Sequence, residues 1–342
     1  MVEEILKNSA TRTKKIFFVY LNTNPPPLFS IFFFCKNQKM TSSSSLIVFS
    51  IATDPDNIYV REFTESLANL GYTYELLGQN QPWEGFTTKM KYFREALSQL
   101  SPDQLIIVCD SYDVLFVHGP EYMEEKYHRL AQGKVVVGLE NISKMTCNFF
   151  TICDPSIVSK CNIHNPKFPK FVYPNSGFLM GSAAQILDIY NFMADNNFKD
   201  DQYSLFQYII KHCDEFYFDY TFDFVFHYIA PAFVLNRARV KLVPASDDSK
   251  NKEIIVNDIG HPGCVHIPGH YLDIGERSEK IRNFLLPHRH PKPRREYFHE
   301  FYMKICKPEF SYFGYWWWIM VLLFIAFCVL IASLTSSSSK QQ

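Results

Sequence analysis

A chain of 342 residues, 47% hydrophobic and 20% charged, holds one domain of about 230 residues with flanking segments. A formal net charge of −1 gives no electrostatic reason to expect nucleic acid as a partner. No internal repeat and no Walker-type phosphate loop is evident.

Residues 1–45 read as an extension, disordered or a vestigial signal. Its apolar runs Ile16-Phe17-Phe18-Val19-Tyr20 and Leu28 to Cys35 are split by Pro25-Pro26-Pro27, so no clean signal core forms. Met40 and the polar run Thr41 to Ser45 then lead into the domain expected over 46–280. Leu46 to Thr53 reads as a first strand ending in a small polar residue. A helix follows over Tyr59 to Leu70, and a second strand over Gly71 to Gly78.

The run Leu105-Ile106-Ile107-Val108-Cys109 is apolar and rich in β-branched side chains, the pattern of a strand buried on both faces, as in parallel sheets. Asp110 and Asp113 emerge where it ends, and ligands of open α/β sheets bind beyond the carboxyl ends of strands. Two carboxylates over a hydrophobic strand are costly unless a cation meets them. Oxygen ligands at this spacing suit Mn²⁺ or Mg²⁺. The competing explanation is an N-cap and turn, which also favour Asp and Ser.

Cys147, Cys153 and Cys161 fall in one loop with His164 close behind, but their spacing matches no common zinc pattern, so a local disulfide or free thiols is expected. Cys109 and Cys264 read as buried thiols. Asn141-Ile142-Ser143 is a glycosylation sequon, meaningful only in a lumenal domain. Asp200-Asp201 precede an apolar-periodic stretch, Tyr203 to Ile210, and so also read as a helix N-terminus.

Residues 281–314 form a basic stem, and Tyr315 to Leu334 make 20 residues without a charge. That length spans a bilayer as a helix, with Trp316, Trp317 and Trp318 at the aromatic belt. A short tail, 335–342, ends the chain. Arg289, Lys292, Arg294, Arg295, Lys304 and Lys307 precede the span and Lys340 follows it, a bias toward a cytoplasmic N-terminal side.

In sequence order, the first strand, Trp83, Lys89, Asp110-Ser111-Tyr112-Asp113, Tyr173-Pro174-Asn175-Ser176-Gly177-Phe178, Asp200-Asp201-Gln202 and Cys264-Val265-His266 resemble the glycosyltransferase domain of the procollagen lysyl hydroxylases and procollagen galactosyltransferases. The resemblance covers about residues 46–275. It implies an α/β, Rossmann-like GT-A fold that uses Mn²⁺ (or Mg²⁺) and a UDP-sugar, moving glucose or galactose to an acceptor. Hydroxylysine or galactosyl-hydroxylysine is the family's acceptor class. By the same resemblance Asp110, Asp113 and His266 hold the metal. Thr53, Trp83, Lys89, Ser111 and Tyr112 surround the nucleotide. Asn175, Asp200 and Asp201 line the sugar and acceptor side.

The chemistry of these residue types agrees. An aromatic ring can stack on a base, a lysine can meet phosphate oxygens, and an aspartate can accept a proton from an acceptor hydroxyl. Alone, Trp83 is more often core, and Lys89 more often a solvated helix residue. The family's His-Gly-Asn-Gly segment and its downstream phosphate-contacting lysine are here replaced by His266-Ile267-Pro268-Gly269-His270, with Lys280 the nearest following lysine, so either Gly269 and His270 take over the phosphate contact or the nucleotide is bound less tightly. The family's long aspartate run is reduced to two residues. These departures leave a second reading open, a catalytically silent relative that binds a nucleotide-sugar or a protein. A metal-dependent phosphoesterase would need more ligands than these three. No hydroxylase iron motif is evident. The resemblance also favours the lumen of an endoplasmic reticulum or Golgi membrane, against the charge bias at the span.

Overall fold

A computed structural model describes residues 46–141, 154–198, 200–228, 239–244, 252–268 and 277–288. The expected membrane span at 315–334, the stem beyond 288, the extension 1–45, Cys147, Cys153 and Gly269 lie outside them. Among the described residues no helix is long and apolar enough to cross a membrane.

The architecture is mixed α/β. β1 (Ile47–Ile51), β2 (Thr73–Leu77), β3 (Leu105–Asp110), β5 (Val135–Glu140), β6 (Tyr173–Ser182) and β7 (Phe216–Asp219) form a six-stranded sheet in the order β2-β1-β3-β6-β5-β7. β1 runs parallel to both β2 and β3. β6 runs antiparallel to β3 and β5, and β5 is parallel to β7. The strand carrying Asp110 therefore has one parallel and one antiparallel neighbour, rather than the wholly parallel setting that its apolar run suggests.

Side-chain alternation buries both faces. Phe49, Ile106, Val108, Val137 and Leu179 face one core with the helices Phe86–Leu97 and Ala183–Asp195. Val48, Ile107, Cys109, Val136, Phe178 and Met180 face the other with helix Ile58–Asn69. The first pair of helices is locked by Arg94 Nε donating to Asn191 Oδ1 at 2.9 Å and by the Phe93 and Tyr190 rings, 4.9 Å apart. Side-chain caps place the helix starts: Asn57 accepts from the Tyr59 amide, and Ser182 and Gln185 form a reciprocal box.

A second sheet holds β4 (Val114–Phe116), β8 (Val225–His227) and β11 (Cys264–His266), with β11 in the middle, antiparallel to β4 and parallel to β8. β9 (Val240–Val243) and β10 (Glu253–Val256) form a separate antiparallel pair. The buried carboxylate of Asp219 accepts from the amides of Asp223, Phe224 and Val225, so the chain turns sharply into β8.

Helix Arg277–Leu285 crosses the boundary expected at 280 and belongs to the packed domain. Ile281, Arg282 and Leu286 are buried. The Arg282 guanidinium pairs with buried Glu62 and lies 4.8 Å from the Tyr59 ring centroid, fastening this helix to helix Ile58–Asn69.

Cys161 is joined to Cys213, which removes it from the loop grouping with Cys147, Cys153 and His164 and leaves it no thiolate for zinc. Cys109 and Cys264 are free and buried, as expected. The bridge ties the end of helix Ile157–Lys160 to the segment after helix Asp201–Lys211. Replacing both cysteines by alanine is expected to lower unfolding stability by about 4 kcal/mol, the chain-entropy effect of opening a loop of this length. Urea unfolding of the oxidised chain and the double variant measures it.

Candidate metal and nucleotide site

The carboxyl ends of β1, β2 and β3 are drawn together by short polar ties. The Ser111 hydroxyl donates to Ile51 O at 2.5 Å, and the Ala52 amide donates to Leu77 O at 2.9 Å. The Asn80 amide donates to Thr53 O at 3.0 Å, and the Asp54 amide donates to the Tyr112 hydroxyl at 3.3 Å. Thr53 and Tyr112 are therefore half-buried at one edge, at the strand ends where α/β sheets bind ligands. Ser111 is buried, and its hydroxyl is engaged by the end of β1. Trp83 is half exposed, in the connection before helix Phe86–Leu97, edge-on to Phe86 with centroids 6.0 Å apart. It is not a core residue.

Asp110 closes β3, and Asp113 lies in the turn before β4. His266 closes β11 beside β4, so the small sheet carries its imidazole to the carboxylates. Ligand atoms of Asp110, Asp113 and His266 all lie within 4.8 Å of one another. His266 Nε2 is 3.3 Å from Asp113 Oδ1 and 3.9 Å from Asp110 Oδ2. Asp113 Oδ1 and His266 Nε2 are both buried without a hydrogen-bond partner. The Ile267 amide donates to Asp113 O at 2.7 Å and fixes the turn against β11. Burial disfavours charge on both groups, yet each stabilises the other's charged form: Asp113 is held below the usual carboxylate range, and His266 above the usual imidazole range.

Lys89 is buried, not solvated. Its Nζ lies 2.7 Å from Asp110 Oδ1 and 2.7 Å from Asp201 Oδ2. Burial alone would favour the neutral amine, but Asp110 and then Asp201 reverse this and hold the ammonium well above the usual lysine range. Lys89 thus bridges two carboxylates, since a buried ammonium needs acceptors around it. The carboxylates of Asp110, Asp113 and Asp201 are met by the Lys89 ammonium and by the His266 imidazole, whose Nε2 proton a metal would replace. Asp110 Oδ2, Asp113 Oδ1 and His266 Nε2 form a donor set that suits a divalent cation.

Asp200 caps helix Asp201–Lys211, accepting from the Tyr203 amide at 2.6 Å. The helix-start explanation of the acidic pair thus holds for Asp200, while Asp201 reaches the site through Lys89. Asn175 is buried with both ends of its amide engaged: Oδ1 accepts from the Gly177 amide at 2.8 Å, and Nδ2 donates to Glu140 Oε2 at 3.0 Å. Asn175 thus shapes the site through Glu140 and the β6 backbone.

Glu140 and His227 also belong to this site and were not singled out in the sequence, and Gln202 stood in a motif without a role of its own. Glu140 ends the apolar run Val135-Val136-Val137-Gly138-Leu139 as Asp110 ends its own, a signal that could have found it. Gln202 Nε2 donates to Glu140 Oε1 at 2.6 Å. Burial pushes the Glu140 carboxyl up to about 7 against those two hydrogen bonds. His227 precedes no motif, and its place beside His266 needed the strand register.

Lys89→Met is expected to destabilise the chain by about 3–5 kcal/mol, because it leaves Asp201 buried without its cation. Chemical denaturation checks this. Glu140 gives a pH dependence of definite sign. Its proton is held to about pH 7 in the folded chain but leaves near the ordinary carboxylate value once unfolded. Stability from this group therefore falls as pH rises between those values. Relative to Glu140→Gln, metal-free wild type should lose on the order of 3 kcal/mol across that window; a flat difference between the two unfolding curves contradicts it.

The family model described as PLOD GT domain matches residues 42–215, just over half of the chain. An uncharacterised protein of Acanthamoeba polyphaga mimivirus is 30% identical over 136 residues, 37% of this chain and 27% of that protein. The procollagen-lysine,2-oxoglutarate 5-dioxygenase 1 of Gallus gallus is 31% identical over 107 residues, 28% of this chain and 14% of that protein. The matches thus span well under a third of either relative. A solved glycosyltransferase involved in glycosylation of the major capsid of PBCV-1 aligns over 51% of this chain and 81% of its own, at 12% identity and a TM-score of 0.31. Mouse xyloside xylosyltransferase 1 aligns over 55% and 88%, at 12% identity and a TM-score of 0.34. With the family model covering 42–215, the chain belongs to the PLOD GT-domain family of glycosyltransferase domains.

Proposed function

We propose that this chain is a metal-dependent transferase of GT-A type that moves glucose or galactose from a UDP-sugar to an acceptor hydroxyl. Its acceptor class is hydroxylysine or galactosyl-hydroxylysine. The observation that carries the reading is the convergence of Asp110, Asp113 and His266, two of whose ligand atoms are buried without any hydrogen-bond partner.

Those three residues would hold Mn²⁺ or Mg²⁺. When bound, a divalent ion offsets the charge that develops on the diphosphate as the glycosidic bond breaks. The chain's own groups do the remainder. Lys89 holds one oxygen of Asp110 and leaves the other for the cation. Asp201 holds Lys89, so the acidic pair acts by position. Trp83 offers an exposed ring for the base, and Thr53 and Tyr112 border the same strand ends. Gln202 and Asn175 hold Glu140 at the interior side.

The pairing of Cys161 with Cys213 supports an oxidising compartment, since such bridges persist in secretory lumens. Together with the uncharged run 315–334, this favours an endomembrane enzyme whose domain faces the lumen. A second reading, a relative that binds a nucleotide-sugar without turning it over, draws on the altered segment after His266 and the shortened acidic run Asp200-Asp201.

Slow Mn²⁺-dependent hydrolysis of UDP-glucose or UDP-galactose without acceptor is the expected activity, and Asp113→Ala should abolish both it and Mn²⁺-dependent UDP binding while the fold persists. Nucleotide binding without turnover selects the second reading. UDP affinity unchanged in Asp113→Ala, measured calorimetrically with and without Mn²⁺, removes the metal site.

A further inference from the structure

His227 is buried at 1% exposure, and its Nδ1 lies 2.8 Å from Nδ1 of His266. The two residues are register partners on the parallel strands β8 and β11, with ring planes at 77°. Space for both rings is kept by glycines on the main sheet. A Cβ at Gly138 would come within 2.2 Å of His227 Nε2, and one at Gly177 within 2.2 Å of His266 Cε1. Either methyl would displace an imidazole.

A 2.8 Å contact between two nitrogens needs a proton on one and a lone pair on the other, and a neutral imidazole carries one N–H. A His266 held charged by Asp113 donates from Nδ1 to a neutral His227; with both rings neutral, two arrangements satisfy the contact. In the first, His227 donates, His266 accepts at Nδ1, and the His266 proton is on Nε2, facing Asp113. In the second, His266 donates from Nδ1 and presents a bare Nε2 lone pair to the carboxylates. Only the second can ligate a metal, and it requires an acceptor at His227 Nδ1. It also moves the His227 proton to Nε2, a buried atom without a hydrogen-bond partner.

We propose that His227 is a positioning residue that selects the metal-ligating tautomer of His266 by accepting its Nδ1 proton. The proposal rests on the metal reading above. Second-layer partners of this kind orient a ligating imidazole, and their loss typically weakens metal affinity about 10–100-fold.

The test uses the full chain. Free Mn²⁺ is titrated by electron paramagnetic resonance against wild type, His227→Phe and His227→Gln, without nucleotide. Phenylalanine fills the space but accepts nothing, so affinity should fall about tenfold or more. Glutamine restores an acceptor oxygen, so affinity should stay within about threefold of wild type, far from the loss expected of a missing partner. Long-range ¹H–¹⁵N spectra of histidine-labelled wild type with Mg²⁺ should show His266 protonated at Nδ1 and His227 at Nε2. This readout stands if His227→Phe does not fold. Folded His227→Phe with wild-type Mn²⁺ affinity, or His266 protonated at Nε2 with Mg²⁺ bound, overturns the proposal and leaves the metal site intact. Wild type that binds no divalent ion removes the metal reading and this inference together.

Discussion

The site depends on a lysine ammonium enclosed between two carboxylates. Lys89 projects from a helix into the ends of the parallel strands, where Asp110 and Asp201 meet it at hydrogen-bonding distance. Unpaired, buried Lys89 or Asp201 would carry a desolvation cost too large for a marginally stable fold. Paired, the three join helix Phe86–Leu97, β3 and helix Asp201–Lys211 at one point. The bridge leaves Asp110 with one oxygen engaged and one free. The free oxygen faces Asp113 and His266, a donor set that could hold a divalent cation.

The second constraint is steric. Two imidazoles stand side by side in an interior packed like the rest of the protein, and they fit because β5 and β6 lack a Cβ where the rings approach. The register shift between Val137 and Leu139 on β5 falls at Gly138, so the irregularity of the strand and the room for His227 coincide. Gly177, two residues beyond Asn175, makes the same allowance for His266 and donates its amide to the Asn175 side chain. One short segment of β6 thus serves both the metal side and the Glu140 side of the site.

Several motif residues act through the fold. Ser111 ties β3 to β1, Asp200 caps a helix, and Asn175 holds a buried acid whose pKa is near neutrality. Trp83 is the opposite case. Its indole is half exposed and meets Phe86 edge-on, so it is not part of the core.

The α/β class, the first two strands, the helix over Tyr59 to Leu70 and Asp110 at a strand end were legible from local signals, whereas His266 was joined to Asp110 and Asp113 only through the family resemblance. The local signals are alternating or continuous apolar runs and an acid at a strand end. The mixed direction of the sheet was not legible, since strand direction depends on how β6 returns between β3 and β5. The Lys89 bridge spans 112 residues to Asp201, and the imidazole pair spans 39. The disulfide joins cysteines 52 apart. No local pattern encodes such meetings. The sequence by itself determined which side chains could carry charge, ligate or cap. Tertiary structure alone decided which of them are desolvated together, and desolvation turns two aspartates and a lysine into a bridge and a buried histidine into a partner for a ligand.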